Sequence, residues 1–182
     1  MDDIVKAAMA KWPNVPDCYG WLGLDARGHW WMRDAQAQAA GPFAGPGACL
    51  DSKGSVLRHD KLIEFIQRNY ASDSRGCWYF QNGPQRVYVE LEVAPWVLRV
   101  DAEYRLHNQA GTPAQYESCW LDEHGRLYVN THLGLGLVHT QDMLLAASAV
   151  ESGVWVPTEC LSAELPERFG FVLSPYAHQA GG

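Results

Sequence analysis

The chain repeats one short sequence in its two halves, and this repeat constrains the fold more than any other feature. Leu24-Asp25-Ala26-Arg27-Gly28 in the first half corresponds to Leu121-Asp122-Glu123-His124-Gly125 in the second. Farther along, Gly76-Cys77-Trp78 corresponds to Gly153-Val154-Trp155, and in both halves an apolar, helix-like stretch with a histidine lies between the two matches. A repeat in the same order indicates a duplicated structural unit. We therefore expect two related α+β units, with a ligand site in the groove between them.

The charge of the chain excludes two classes of partner. Its 182 residues carry 14 basic and 21 acidic side chains, the formal net charge is −7, and the basic residues form no run. A surface that binds duplex nucleic acid needs clustered lysine and arginine to displace counterions, and a basic patch that binds a membrane needs the same clustering. We expect neither partner. A single small anion held by a few arginines is compatible with this charge.

The cysteines and the first residues indicate the compartment. The cysteine count is odd and no Cys-x-x-Cys pair occurs, which is typical of reduced thiols and supports neither a zinc knuckle nor a thioredoxin motif. Residues 1–6 are acidic without the apolar stretch of a signal peptide, and no segment of the sequence approaches the length that spans a bilayer. We expect a cytoplasmic protein. The five cysteines are Cys18, Cys49, Cys77, Cys119 and Cys160.

The first half of the chain has the pattern of an α+β unit. Residues 59–71 form the clearest predicted helix, because apolar side chains fall at helical spacing there. Residues 85–93 alternate between apolar and polar side chains, which predicts a strand with one buried face. The Asn82-Gly83 pair ahead of them is a strong hairpin signal. The other predicted elements are a helix over 3–12, strands over 21–24, 29–33, 76–80 and 96–100, turns over 25–28 and 81–84, and a Gly/Pro/Ala-rich loop over 35–53.

The second half is expected to repeat this arrangement. The predicted fold class is α+β, with two tandem related antiparallel-sheet-plus-helix units, at 1–106 and 116–176, packed as one globular body. The polar residues 107–115 are the expected connection, and the tail after Tyr176 is expected to fray. The predicted elements are a hairpin over 119–121 and 126–131, a helix over 141–150, and strands over 153–156 and 169–173.

The stretch from Gly54 to Val100 resembles a known group of proteins. Arg58 stands ahead of the helix, Gln81-Asn82-Gly83-Pro84-Gln85-Arg86 forms the polar turn, and Ala94-Pro95-Trp96 ends the alternating strand. In this order the chain resembles uncharacterised proteobacterial proteins that are known only as domains of unknown function. It differs from them at Gln85-Arg86, where a Glu-Lys pair is common, and in the inserted loop at 35–53.

The resemblance implies more than the residues themselves indicate. It implies a duplicated α+β fold whose C-terminal half is similar to pleckstrin-homology barrels. It also implies a nucleotide-like ligand at the interface of the halves and a role in signalling.

The sequence contains no recognisable catalytic or metal-binding motif. No Gly-x-Ser-x-Gly occurs, and the glycine-rich segments at 41–47 and 134–137 lack the residues of a phosphate-binding loop. His132 and His139 are seven residues apart with no carboxylate at a ligand-like spacing. We expect no metal and no cofactor.

The candidate ligand-binding residues are arginines and aromatics of the first half. Arg58 precedes the main helix, whose N-terminus is an intrinsic anion site, and His59 begins that helix. Arg86 lies beside the turn that contains Asn82, and an arginine fork can hold a phosphate or carboxylate. Alternatively, the arginines form surface ion pairs with Glu90, Glu92 or Asp60. The remaining candidates are Trp30 and Trp78, which could stack on a base or could lie in the core.

Three classes of function remain open from the sequence. The first is a non-enzymatic binding or signalling module with a small anionic ligand between the halves, for which the resemblance implies a nucleotide-like molecule. The second is a protein-interaction module that takes an extended partner along a sheet edge. The third is an unrecognised enzyme, which would need a buried group with a strongly shifted pKa in a pocket.

Overall fold

Two β-sheets with flanking helices make up the computed structural model, which describes residues 1–180. The predicted α+β class is therefore confirmed. The chain divides into two compact units. Unit 1 contains residues 1–25, 29–92 and the segment from Phe171 onward, and unit 2 contains residues 26–28 and 93–170. The division falls at residue 92 and not at 106, because the strand that follows residue 92 pairs within the second sheet.

Unit 1 is built on a six-stranded sheet with strand order β3-β2-β1-β6-β5-β4. Its strands are β1 (Cys18–Leu24), β2 (Trp30–Met32), β3 (Ser55–Val56), β4 (Tyr70–Ser72), β5 (Trp78–Asn82) and β6 (Gln85–Leu91). Its helices are α1 (Asp3–Lys11), α2 (Ala35–Ala40), α3 (Leu50–Lys53), α4 (Asp60–Arg68) and, from the end of the chain, α7 (Pro175–Ala180).

Unit 2 is built on a seven-stranded sheet with strand order β13-β10-β11-β12-β7-β8-β9. Its strands are β7 (Trp96–Val100), β8 (Leu106–Asn108), β9 (Pro113–Ala114), β10 (Tyr116–Asp122), β11 (Leu127–Thr131), β12 (Gly134–Val138) and β13 (Pro157–Cys160). Its helices are α5 (Met143–Glu151) and α6 (Leu165–Phe169), each preceded by a short 3-10 turn.

Both sheets are mixed, which corrects the prediction of antiparallel sheets. β1 pairs in parallel with β6, β10 with β13, and β12 with β7. Each of these pairs joins strands that are distant in sequence, whereas the strands joined by short turns are antiparallel, as such connections require.

The alternating strand β6 is buried on both faces near its end. Tyr88, Val89, Glu90 and Leu91 are all buried, although the sequence pattern predicted one buried face. β6 lies between β1 and β5 in the middle of the sheet, so its polar side chains are enclosed as well as its apolar ones. Glu90 is one of these enclosed polar side chains. Its buried carboxylate accepts hydrogen bonds from Ser174 Oγ at 2.5 Å and from the Tyr176 backbone N–H at 3.1 Å.

The main helix is shorter than predicted. It ends at Arg68, and Tyr70 begins strand β4, which pairs with β5 in the register Tyr70↔Phe80. The apolar spacing of Tyr70 fits a helix and an edge strand equally well, and pairing with β5 decided between them.

The segment over 35–53 is not the plain loop that was predicted. It contains α2 and α3. Phe43, which lies between the two helices in the sequence, is buried. The organising residue is Arg33, which is 4% exposed. Its guanidinium donates to four backbone oxygens: Ser52 at 2.7 Å, Gly20 at 3.1 Å, Ala37 at 3.4 Å and Gly41 at 2.5 Å.

Three further predictions are corrected at the level of elements. Residues 107–115 contain parts of β8 and β9 and are not a plain connection, and residues 153–156 form a turn before β13. Residues 169–173 contain no strand, because α6 ends at Phe169 and the chain then returns to unit 1. The tail after Tyr176 is helical as far as Ala180, and residues 181–182 lie outside the described part of the chain.

The repeated Leu-Asp-x-x-Gly sequence forms a hairpin turn whose geometry occurs five times among residues 1–180. In each turn the Oδ1 atom of an aspartate or asparagine accepts the backbone N–H four residues later, at 2.8 to 3.0 Å. The residue three positions after that side chain has a positive φ, between 61° and 82°. The turns begin at Asp25, Asp73, Asp101, Asn108 and Asp122.

Within residues 1–180, no helix is long and apolar enough to cross a bilayer.

Candidate ligand-binding site

The hairpin of β5 and β6 builds the candidate site in unit 1. The strands are joined by Gly83-Pro84, and the φ of Gly83 is +57°, a backbone conformation that favours glycine. Gln81 lies opposite Arg86, and Asn82 lies opposite Gln85. Because neighbouring residues of a strand point to opposite faces, the hairpin separates Gln81 and Arg86 from Asn82. The predicted Asn-Gly hairpin is therefore present, with the turn one residue later than expected.

A groove of about 540 Å³ lies on the face that carries Gln81 and Arg86. Its volume is within the range of small-molecule sites. The opposite wall is the end of α1 and the Pro-rich segment that follows it, and Gln85 Nε2 holds this segment by donating to Pro16 O at 3.0 Å. The lining residues are Met9, Trp12, Pro13, Asn14, Val15, Pro16, Asp17, Gln81, Pro84 and Arg86.

Gln81 is a buried residue in the wall of the groove. Its side chain is 1% exposed, and Nε2 donates to Gly83 O at 3.0 Å. The Oε1 atom has no hydrogen-bond partner among the residues that the structure describes. A buried polar atom without a partner costs about 1–3 kcal/mol, so native proteins rarely keep one without a reason.

Arg86 contributes the positive charge of the groove. Its guanidinium lies 4.8 Å from the centroid of the Tyr79 ring, and interaction with the Tyr88 hydroxyl raises the pKa of this arginine. No carboxylate in the described part of the chain forms a direct ion pair with Arg86, and Asp17 attracts it at longer range. The stacked, permanently charged fork is suited to a phosphate or a carboxylate.

Trp12 gives the groove an aromatic wall. Its side chain is 51% exposed, and Lys11 Nζ lies 4.5 Å from the ring centroid. An exposed indole beside a cationic side chain can stack on an apolar or aromatic part of an anionic ligand.

Asn82 lies on the other face of the hairpin, at a second cavity of unit 1. This cavity has a volume of about 320 Å³ and is mainly apolar. Asn82 is thus separated from Arg86, with which the sequence analysis had grouped it. The lining residues are Cys18, Trp21, Leu22, Met32, Leu62, Ile66, Phe80, Asn82 and Val87.

The other predicted site residues do not line the groove of Arg86. Trp30 is 1% exposed and packs edge-on against Tyr70, with ring centroids 5.2 Å apart. Trp78 is half-buried and its ring lies 4.7 Å from that of Tyr70. Arg58 and His59 are exposed, and His59 Nδ1 caps α4 by accepting the Leu62 N–H at 3.3 Å.

Sequence reasoning missed the segment over 12–17 and the role of Gln81. The sequence predicts only a helix over 3–12 and a turn over 81–84, and neither prediction assigns these residues to a site. The available signal was the alternation of β5, which places Gln81 on the face of Arg86 once the register is known.

Unit 2 contains a cavity of about 530 Å³ with the opposite charge. Asp122, Glu123, Glu159 and Glu164 are among its lining residues, so it would repel an anion. Among residues 1–180, no group of three or more histidines, cysteines or carboxylates has a geometry that could hold a metal ion.

Comparison with known proteins gives a family without an assigned activity. No curated protein matches the chain. A crystal structure of a DUF1285 family protein from Silicibacter pomeroyi DSS-3 is similar with a TM-score of 0.49 and 13% identity, over 81% of this chain and 84% of that one. A DUF1285 family protein from Shewanella baltica OS155 is similar with a TM-score of 0.42 and 13% identity, over 70% of this chain and 91% of that one.

The expected resemblance to proteins of unknown function is confirmed by a family model. That model, described as "Protein of unknown function (DUF2946)", matches residues 1–176. The chain therefore belongs to the DUF2944 family.

Proposed function

We propose that this protein is a non-enzymatic binding module that holds a small anionic organic ligand in the groove of unit 1. The observation that carries the proposal is Arg86, a guanidinium stacked on Tyr79 at 4.8 Å that lines a groove of small-molecule size. Trp12 supplies an aromatic surface at the same groove, and Lys11 Nζ lies 4.5 Å from the centroid of its ring. A nucleotide has matching chemistry, because its phosphate would meet Arg86 and its base would stack on Trp12.

Calorimetric titration of the full chain with AMP, GMP and small aromatic carboxylates tests this proposal. We expect at least one of these anions to bind, and we expect Arg86→Gln to weaken that binding by about 10- to 100-fold, because a hydrogen bond to a charged group contributes about 1.5–3 kcal/mol. The matched control is Arg58→Gln, since Arg58 is an exposed arginine of the same unit that does not line the groove. Thermal unfolding of both variants checks that they fold.

Two results would contradict the proposal. One is the absence of binding by every anion of the panel. The other is an affinity that changes equally in Arg86→Gln and Arg58→Gln, which would indicate a general charge effect.

The duplication of the units and the pleckstrin-homology-like character of the second half stay predictions. One similarity supports duplication. The first strand of the Leu-Asp-x-x-Gly hairpin, β1 in unit 1 and β10 in unit 2, lies in each sheet between its hairpin partner and a parallel strand. A signalling role, a cytoplasmic location, the protein-interaction and enzymatic alternatives, and a ligand position between the halves also stay predictions.

A further inference from the structure

We propose that the apolar cavity of unit 1 binds a neutral aromatic molecule of about two fused rings. This site is distinct from the groove of Arg86 and goes beyond the proposed function, because its lining residues and its ligand chemistry are different. The observation that carries the inference is a gap of about 320 Å³ between helix α4 and the sheet. No charged side chain of the described residues lines this gap.

The register of the sheet places the strand residues of the cavity on one face. Cys18 is opposite Val87, and Val87 is in turn opposite Phe80. Leu22 is opposite Met32 on the neighbouring strand. Cross-strand partners point to the same face of a sheet, so the strands β2, β1, β6 and β5 all contribute to one apolar surface.

Helix α4 covers only one side of this surface. Phe65 of the helix packs edge-on against Phe80 of β5, with ring centroids 5.4 Å apart, and Ile66 is buried. On the side of β1 and β2, by contrast, Trp21 and Met32 are 47% and 52% exposed. An apolar sheet face is stable when another layer packs on it, and here the helix leaves a gap beside β1.

The size of the gap favours a small molecule over a protein partner. A stable protein interface buries about 800 Å² on each partner, whereas Trp21 and Met32 are the only exposed large apolar residues among those that line the gap. An apolar cavity of about 150 Å³ holds one benzene ring. The 320 Å³ of this cavity therefore suit a ligand of about two fused rings.

The walls favour an uncharged, aromatic ligand. Burial raises the pKa of the Cys18 thiol, which therefore stays protonated, and a charged group placed among such walls would be costly to desolvate. Trp21 and Phe80 offer ring contacts, and the sulfur of Met32 interacts favourably with aromatic rings. Asn82 is the exposed polar residue of the lining, and its amide can pair with one hydroxyl or N–H group of the ligand.

Calorimetric titration of the full chain with 2-naphthol tests the proposal. The charged analogue is 2-naphthoate and the saturated analogue is 2-decalol. We expect 2-naphthol to bind and each analogue to bind about tenfold more weakly, because the carboxylate has no counter-charge in this cavity and 2-decalol lacks the ring contacts. The titrations are repeated in Arg86→Gln, so that an anion held by the groove of Arg86 is not mistaken for a ligand of the cavity.

Filling the cavity shows whether 2-naphthol binds in it. Leu62→Trp adds volume to the cavity wall, whereas Leu50→Trp makes the same change at a helical residue that is 82% exposed and does not line the cavity. We expect Leu62→Trp to weaken binding by about tenfold or more and Leu50→Trp to leave it unchanged. Thermal unfolding checks that both variants fold, and Val87→Phe fills the cavity from β6 if Leu62→Trp does not fold.

Cys18 reports the occupancy of the cavity directly. Saturating 2-naphthol should slow the alkylation of Cys18 by iodoacetamide by about tenfold, because the thiol lines the cavity. The exposed Cys49 does not line it and should react at the rate of the free protein. Peptide mass spectrometry measures both thiols in the same sample.

The absence of 2-naphthol binding would overturn the proposal. Unchanged alkylation of Cys18 would do the same, as would an affinity in Leu62→Trp that is no lower than in Leu50→Trp. Equally tight binding of 2-decalol would overturn the aromatic ligand, and equally tight binding of 2-naphthoate in Arg86→Gln would overturn the neutral one. None of these results decides the proposed function, whose test is the loss of anion binding in Arg86→Gln.

Discussion

At the scale of single residues, aspartate side chains organise the hairpin turns of this protein. In three of the five repeated turns the second carboxylate oxygen also accepts from an aromatic side chain: Trp31 on Asp25 at 2.9 Å, Tyr88 on Asp73 at 3.0 Å and Tyr128 on Asp122 at 3.0 Å. Asn108 forms the same backbone turn. The hydrogen bonds from backbone N–H groups to the first side-chain oxygen therefore define the turn, and the second oxygen adds contacts from neighbouring strands.

Replacing the positive-φ glycines of these turns tests the strain argument at single residues. We expect Gly111→Ala and Gly125→Ala each to lower the free energy of unfolding by about 1–2 kcal/mol, because left-handed backbone disfavours a Cβ atom. A Cβ atom would meet nothing within 4 Å at either position, so the loss reports the backbone alone. Urea denaturation measures it, and Ala110→Ser in the same turn as Gly111 should change little. Losses within 0.5 kcal/mol of zero, the usual scatter for surface substitutions, would contradict the argument.

At the scale of elements, Arg33 holds a glycine- and proline-rich segment that has little apolar surface of its own. Burial lowers the pKa of this guanidinium, although Glu90 opposes the shift. The four carbonyls that it binds come from both ends of the segment and from β1. The hydrogen bonds of one side chain thus hold together a segment that has few apolar side chains to bury.

Arg33→Met should destabilise unit 1 by about 3–5 kcal/mol, since it leaves buried carbonyls without donors. We expect limited proteolysis to cleave within 41–49 faster than in the parent, and urea denaturation to give the loss of stability. Arg58→Met is the matched control, because Arg58 is exposed and no described carboxylate forms an ion pair with it. Equal proteolysis of the two variants would show that Arg33 does not organise the segment.

At the scale of the whole molecule, buried acids give stability two opposing dependences on pH. The guanidinium of Arg99 lowers the pKa of Asp142. For Asp73 and Asp122, burial raises the pKa but hydrogen bonds from arginine, tyrosine and backbone groups outweigh it, so the pKa is lowered. Burial raises the pKa of Glu90 despite its bonds to Ser174 and Tyr176.

We therefore expect a maximum of stability in mildly acidic solution. The lowered aspartates contribute stability above their unfolded pKa, about 3.9, and lose it as the pH falls through their folded values. Glu90 contributes stability below its unfolded pKa, about 4.3, and loses it as the pH rises through its raised folded value. Urea denaturation at intervals of about one pH unit, between about pH 2 and pH 8, measures the free energy of unfolding on both sides of the maximum, its acid limb and its decline toward neutral pH.

Single variants assign each limb. Asp142→Asn should flatten the acid limb, and Glu90→Gln should flatten the decline toward neutral pH. A stability curve of Glu90→Gln that is parallel to that of the parent above pH 5, roughly the region where, among the carboxylates, only those with a raised pKa titrate, would refute the assignment.

The structural features that could be predicted from the sequence are those that depend on residues close together in the chain. The Asn-Gly hairpin, the Leu-Asp-x-x-Gly turns and most strand positions follow from local turn chemistry and alternation. Arg86, a site residue predicted from the sequence, lines a groove, and its role in binding stays a prediction. The end of α4, the two helices in 35–53 and the strand-free segment at 169–173 were not predictable, because their neighbours are distant in the chain. Gln81 was missed for the same reason, since its importance depends on burial and on an unpaired oxygen.

By itself, the sequence determined the α+β class, the turns and the net charge of the chain. Only the tertiary structure decided which residues share a face and which polar groups lack a partner. The physical reason is that turn geometry is set within a few residues by side-chain and backbone hydrogen bonds. Burial is set by the pairing of strands that are distant in the sequence, such as β1 and β6. The repeated sequence therefore marks a turn with certainty, while the groove of Arg86 and Gln81 appears only when the strands are assembled.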